Sequence, residues 1–254
     1  MSTPRLVKGW IAPVLAAWLA ACGQPTETRS PLPRLTWDAR ELVVGIVDDW
    51  TATTATLRRY RRDGDEWKPS GAAWPAVVGK AGTAWGTGVH GTGAPAGREG
   101  PVKHEGDSKS PAGVFAIGAS YGSATASPTG SRLRYTPIDD AWKCVDDPAS
   151  KAYNRVLDQR TTTIDWKSAE EMKRGDALYT WVVDVAHNVS RTPNRGSCIF
   201  LHVWSGPESA TLGCTAMAEP VLAELIATID PSAMFVLLPR AEYAALATSW
   251  GLPL

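Results

Sequence analysis

Residues 197–217 read SCIFLHVWSGPESATLGCTAM. An apolar run ends in His202, a polar Gly/Pro loop follows, and Thr211-Leu212-Gly213-Cys214 closes the segment. The run reads as a strand that holds the imidazole, and the loop reverses the chain. Gly213 lets the backbone pass close beside the thiol. An imidazole and a thiol brought to one place are the minimal equipment for nucleophilic acyl transfer. Cys214 is then the nucleophile, and His202 is the general base and afterwards the general acid. The plainer readings are a core His satisfied by backbone and a small Cys filling a tight turn.

Just downstream, residues 220–229 place apolar side chains at helical spacing with Pro220 near the start. A helix beginning between 216 and 220 would set its positive end near Cys214 and favour thiolate. The amides of Gly213 and Cys214 are the candidate oxyanion donors. His202 needs an acceptor for its second ring nitrogen. Glu208 is the only acid between His202 and Cys214, and a backbone carbonyl beside the His could serve instead. His187-Asn188 either lines the cleft or caps the end of the preceding strand. His90 and His104, in Gly-rich loops, are expected to face solvent. Trp204, like Trp74 and Trp85, stands beside Gly or Pro in the region of loops. Such aromatics line grooves for extended ligands or simply pack.

Further out, short β-branched runs separated by Gly/Pro turns dominate as far as residue 210. Strands are expected at 42–47, 74–78, 114–117, 179–185 and 198–203, with a hairpin across Asp63-Gly64. A last strand at 234–238 and a helical turn at 242–247 complete a mainly β fold with a few short helices. Residues 139–176 are charge-rich and irregular, and read as an insertion with one helix near 168–174.

Arg5 and Lys8, the short apolar stretch 11–21 and Leu19-Ala20-Ala21-Cys22 read as an export signal. The stretch is too short to span a bilayer, which needs about 20 apolar residues. Residues 1–21 are taken as the signal, 22–36 as an anchored Cys and a Pro-rich tether, and 37–254 as one domain. Lys+Arg and Asp+Glu balance at 26 each, and no basic run carries interleaved aromatics, so nucleic acid is not an expected partner. No two Cys or His have the spacing of a structural zinc site, and no metal or other cofactor is expected. Of the four Cys, Cys144 and Cys198 are left over. They either pair, as exported thiols do, or stay as buried free thiols.

His202, Gly206, Thr211, Gly213 and Cys214 together resemble the His…(Ser/Thr)-x-Gly-Cys signature of the L,D-transpeptidase catalytic domain, the YkuD family. Residues 98–100 (REG) and 105–115 (EGDSKSPAGVF) are similar to that family's EGDGxTPxGxF segment. Residues 144–148 (CVDDP) and 153–155 (YNR) resemble blocks of its exported bacterial branch, as do 187–188 (HN) and 196–202 (GSCIFLH). The likeness runs in consistent order over residues 42–238. Leu19-Ala20-Ala21-Cys22 resembles a bacterial lipobox, which makes Cys22 the lipidated first residue of the mature chain and its anchor to a membrane.

The resemblance implies a YkuD-like, sandwich- or barrel-like β fold in the bacterial cell envelope, facing the periplasm or cell wall. It implies an enzyme that exchanges peptide bonds in peptidoglycan stems through a Cys214 thioester. The family's third catalytic element, the carbonyl just after the His, maps to Val203. His187, Asn188 and Trp204 become substrate-side candidates. This chain departs from the family in having Leu212 where a second His is usual and Thr215 where an Arg is usual. Hydrolysis by the same Cys-His pair, as an L,D-carboxypeptidase or endopeptidase, is the first alternative. A peptidoglycan-binding lipoprotein without turnover is the second.

Overall fold

The computed structural model describes residues 1–2 and 39–254. The export signal, the anchor at Cys22 and the tether therefore lie outside the described residues.

The apolar run near residue 42 forms β1 (Glu41–Val47), buried along its length apart from the half-buried Ile46. It is followed by β2 (Thr54–Asp63), whose exposed and buried residues alternate from Thr54 to Arg59 as a half-buried strand requires. Gly64, in the left-handed region, turns the chain into β3 (Glu66–Pro69). Next come β4 (Trp74–Val77) and three short pieces within the Gly-rich loop: β5 (Thr83–Trp85), β6 (Thr87–Gly88) and β7 (Gly91–Thr92). The long β8 (Ser110–Gly122) is followed by β9 (Tyr135–Pro137). Then come β10 (Trp142–Val145), β11 (Val156–Asp158) and β12 (Ala169–Glu171), which pair among themselves as a separate three-stranded sheet. Finally β13 (Val182–Val185), β14 (Phe200–Val203), β15 (Thr215–Met217), α1 (Glu219–Thr228), β16 (Met234–Pro239) and α2 (Arg240–Trp250) complete the chain.

The main sheet runs β1-β16-β8-β13-β14-β15-β4-β2, and β2 pairs back onto β1. The ring is therefore closed, like a barrel, and none of these eight strands is a free edge. Val43 and Val47 of β1, Phe115 of β8, Leu201 of β14 and Phe235 of β16 fill one shared core with Leu222, Leu225 and Ile226 of α1. The alternate residues Leu42, Val44, Val114, Val236 and Leu238 pack on the other face, against Leu246 and Trp250 of α2. Both faces of β1 are covered, which is why it reads as an unbroken apolar run. A Cβ on Gly45 would come within 2.9 Å of Leu237 Cδ1 and 3.1 Å of Leu57 Cδ1, so this core admits only glycine there without repacking. The Arg59 guanidinium, ion-paired with buried Glu41, donates to the Thr228 carbonyl at 2.6 Å and closes the C-terminal end of α1.

Four expectations are corrected. Residues 168–174, good helix formers, instead hold β12, because 169–171 pair with β10 and Met172 is fully buried. The strand expected at 179–185 shortens to Val182–Val185, and Ala177–Tyr179 forms a 3-10 turn capped by Asp176. The strand expected at 114–117 extends to 13 residues, since Ser110–Gly122 is paired at different points with β5, β16, β13 and β9. The turn expected at 242–247 is a full helix, closed by Gly251 in the left-handed conformation.

Candidate active site

Alternation along β14 puts Leu201 and Val203 into the barrel core and Phe200 and His202 onto the opposite face. β15 runs parallel to β14 with Leu201 opposite Thr215 and His202 opposite Ala216. Cys214, one residue before β15, thus lies beside Phe200, whose amide points to Cys214 Sγ at 3.4 Å. Parallel pairing across the loop converts a 12-position sequence separation (202 to 214) into neighbouring strands. Both side chains line a cleft of about 570 Å³ between the barrel and the β10–β12 sheet.

The loop entering β15 is tightly tied. The Cys214 carbonyl accepts from Thr211 Oγ1 at 2.6 Å and from Ser110 Oγ at 2.8 Å. Ser110 Oγ in turn accepts from the Gly79 amide at 2.9 Å, joining β8, β15 and the end of β4. Gly213 has φ +149°, and a Cβ there would lie 3.2 Å from the Lys109 carbonyl. The Gly213 amide donates to Thr211 Oγ1 at 3.1 Å. That amide is engaged within the loop, which corrects its assignment as an oxyanion donor. Of the two amides, Cys214's is the remaining candidate.

His202 Nδ1 lies 2.7 Å from the Val203 carbonyl. A carbonyl can only accept, so Nδ1 carries the proton and Nε2 is a free base. Burial, opposed by this bond, lowers the His202 pKa to about 4. Cys214 is the one free cysteine among the described residues and is buried. Burial first, and the Glu170 charge second, push its thiol up to about 12, against the Phe200 amide, Lys103 and Tyr179. Both partners are therefore uncharged at neutral pH, and a thiolate must be made by proton transfer. α1 begins at Glu219, within the expected 216–220, but β15 lies between it and Cys214, and burial raises the thiol pKa where the helix end was expected to favour thiolate.

Cys144 and Cys198 form a disulfide, with Cα atoms 5.9 Å apart. It ties β10 to the chain entering β14, where Cys198 holds a left-handed φ of 55°. Asn154 supports the same corner. Its side chain accepts from the Cys198 amide at 3.0 Å and donates to the carbonyls of His187 (2.9 Å) and Asn188 (3.0 Å).

Trp204 is among the residues lining the cleft, whereas His187 and Asn188 are buried and outside that lining. His187 Nδ1 accepts from the Thr87 amide at 3.3 Å, and Nε2 donates to the Arg195 carbonyl at 2.9 Å. Asn188 holds its own loop through Thr192 and Gly196. Of their two readings, these contacts match the structural one. Glu208 is exposed, and the Val203 carbonyl takes the orienting place it would have filled. His104 is exposed, but His90 is not solvent-facing: its ring packs on Trp85, Phe115 and Trp250.

Three cleft residues went unrecognised in the sequence. Tyr179 sits edge-on to His202, with ring centroids 5.2 Å apart, and donates to Glu170 Oε1 at 2.5 Å. Glu170 is carried by β12, opposite Cys144. Lys103, 3% exposed, is ion-paired with Asp107, and its Nζ lies 3.9 Å from where a Gly213 Cβ would be. The EGDSK segment, residues 105–109, supplies Asp107, the partner of Lys103, but nothing in the sequence singled out the lysine. Among the described residues no group of three or more His, Cys, Asp or Glu is placed to hold a metal ion.

The chain matches no protein-family model, no curated protein and no solved structure.

Proposed function

We propose that this protein is a peptidoglycan L,D-transpeptidase of YkuD-like fold, acting through a Cys214 thioester. The observation that carries the reading is the bond from His202 Nδ1 to the Val203 carbonyl, in the cleft that also holds Cys214. It leaves Nε2 as a neutral base of fixed orientation, which is what an uncharged thiol requires.

In the proposed cycle His202 takes the thiol proton as Cys214 Sγ attacks the carbonyl after the L-centre of the third stem residue. The Cys214 amide faces the developing oxyanion. As the carbon–nitrogen bond breaks, His202 returns the proton to the leaving amine of the D-residue, and the acyl group stays on sulfur. An amine from a neighbouring stem then displaces the sulfur and forms the cross-link. The closed β ring, with His202 on β14 and Cys214 at the entry to the parallel β15, supports the fold part of this reading. Thr215 is 2% exposed within β15, so the family's usual Arg has no room there, and Lys103 supplies a buried cation on the Gly213 side. The lipid anchor at Cys22 and an envelope location belong to the same proposal.

Mass spectrometry after incubation with tetrapeptide-stem muropeptides tests it. A thioester mass on Cys214 with dimeric products is expected. Tripeptide products without dimers would make the protein an L,D-carboxypeptidase, and neither adduct nor product would make it a binding lipoprotein.

A further inference from the structure

We propose that a second cavity, apart from the Cys214 cleft, binds an N-acetylated hexosamine of a glycan chain. The inference goes beyond the proposed function and does not rest on it. The cavity holds about 380 Å³ and shares no lining residue with the cleft. α1 contributes Val221, Glu224 and Leu225 to it. The opposite side is residues 70–73 between β3 and β4, Trp74 at the start of β4, and Arg59 of β2. Sites for small molecules run from about 300 to 1,000 Å³, so its size fits one.

Its hydrogen-bonding groups are left over from the fold. Arg59 is 8% exposed, and its guanidinium gives three bonds, from Nε to Glu41 and from Nη1 and Nη2 to Thr228. Two of a guanidinium's five N–H groups remain. The backbone amides of residues 71–73 donate to nothing among the described residues. The Trp74 ring packs on the barrel core, and its Nε1 is buried with no partner among the described residues. Folded chains rarely leave such a donor unpaired, and a ligand carbonyl is the acceptor this wall lacks. Glu224, exposed on α1, is the acid of the lining and offers its carboxylate to hydroxyl donors.

Charge decides the class of ligand. Arg59 is matched by Glu41, and Glu224 adds a negative charge, so the cavity does not favour an anion, while the guanidinium disfavours a cation. A neutral ligand with an acceptor, hydroxyl donors and an apolar face fits. A pyranose ring has that make-up, with a C–H face for the indole and hydroxyls for the carboxylate. Val221 and Leu225, one helical turn apart on α1, add a small apolar wall suited to a methyl group. An acetamido substituent joins that methyl to the missing carbonyl, which makes the N-acetylated sugar the match.

Isothermal titration of the full-length protein with N,N′,N″-triacetylchitotriose tests this. Cellotriose, which has hydroxyls in place of the acetamido groups, is titrated in parallel. The expected result is saturable binding of triacetylchitotriose, about tenfold tighter than cellotriose. Glu224 is exposed, so Glu224→Ala spares the core, and it should weaken binding by about tenfold. Trp74→Ala should weaken it too, and Trp204→Ala, in the other cleft, should leave it unchanged. No binding, equal binding of cellotriose, binding undiminished in Glu224→Ala, or binding lost in Trp204→Ala overturns the proposal. Should Trp74→Ala not fold, Glu224→Ala and the cellotriose comparison decide. The probe carries no peptide stem, so its titration is blind to the chemistry of Cys214. The muropeptide assay of the proposed function can fail while this site stands, and the reverse.

Discussion

His202 Nδ1 is bound to the carbonyl of its own neighbour, Val203, at 2.7 Å, so the catalytic imidazole of the proposed cycle is oriented by backbone and not by an acid. Substitution elsewhere cannot easily remove that acceptor. Replacing the ring itself, His202→Ala, is expected to lower kcat by about 10²–10⁴-fold. Cys214→Ala is expected to abolish thioester formation while leaving the circular-dichroism melt close to wild type. Turnover of muropeptides by Cys214→Ala would refute the mechanism.

The pH dependence should be displaced to the acid side. His202 protonates only near pH 4 when folded, against the ordinary 6.5. The acid limb of kcat/KM is therefore expected near pH 4, read from initial rates across pH 3.5–8.

Stability should follow the same groups. His187 and His202 both have folded-state values of about 4, with burial as the main cause. As pH falls below 6.5 the unfolded chain binds protons that these folded rings refuse, so their contribution to stability is lost between pH 6.5 and 4. Urea midpoints at pH 7 and pH 4.5 check this, and an equal midpoint at both would contradict the burial of these rings.

The Cys144–Cys198 bridge closes a 54-residue separation. Cys144→Ser with Cys198→Ser is expected to cost about 4 kcal/mol by the loop-entropy relation. Urea unfolding with and without reductant measures it. The same variant should weaken the site, since β10 carries the strand that holds Glu170.

Asn154→Ala removes three side-chain hydrogen bonds to backbone and puts alanine at a φ of 56°. A loss of roughly 3 kcal/mol is expected. Asn154→Gly, which relieves the φ and not the lost bonds, should recover only part of it.

The legible parts of this chain were those in which local pattern and tertiary demand agree. The run at 42–47 is apolar because β1 is covered on both faces, and Asp63-Gly64 is a turn because Gly64 takes a left-handed φ. The segment with His202 and Cys214 was readable because strand, loop and Gly213 follow one another in sequence. Residues 168–174 misled because helix-forming side chains were pulled into a strand by β10. Tyr179 was hidden in what looked like a strand, and nothing near it in sequence pointed to Cys214.

From sequence alone came a mainly β chain, a thiol and an imidazole within one short segment, and the two Cys left over. These depend on residue type and short spacing. The tertiary structure decided the closure of the ring through β1 and β2 and the disulfide. It also decided the uncharged state of Cys214 and His202, and the meeting of Tyr179 and Glu170 in the cleft. Ring closure, burial and contacts between distant segments are properties of the folded chain's packing, and local residue order does not encode them in readable form.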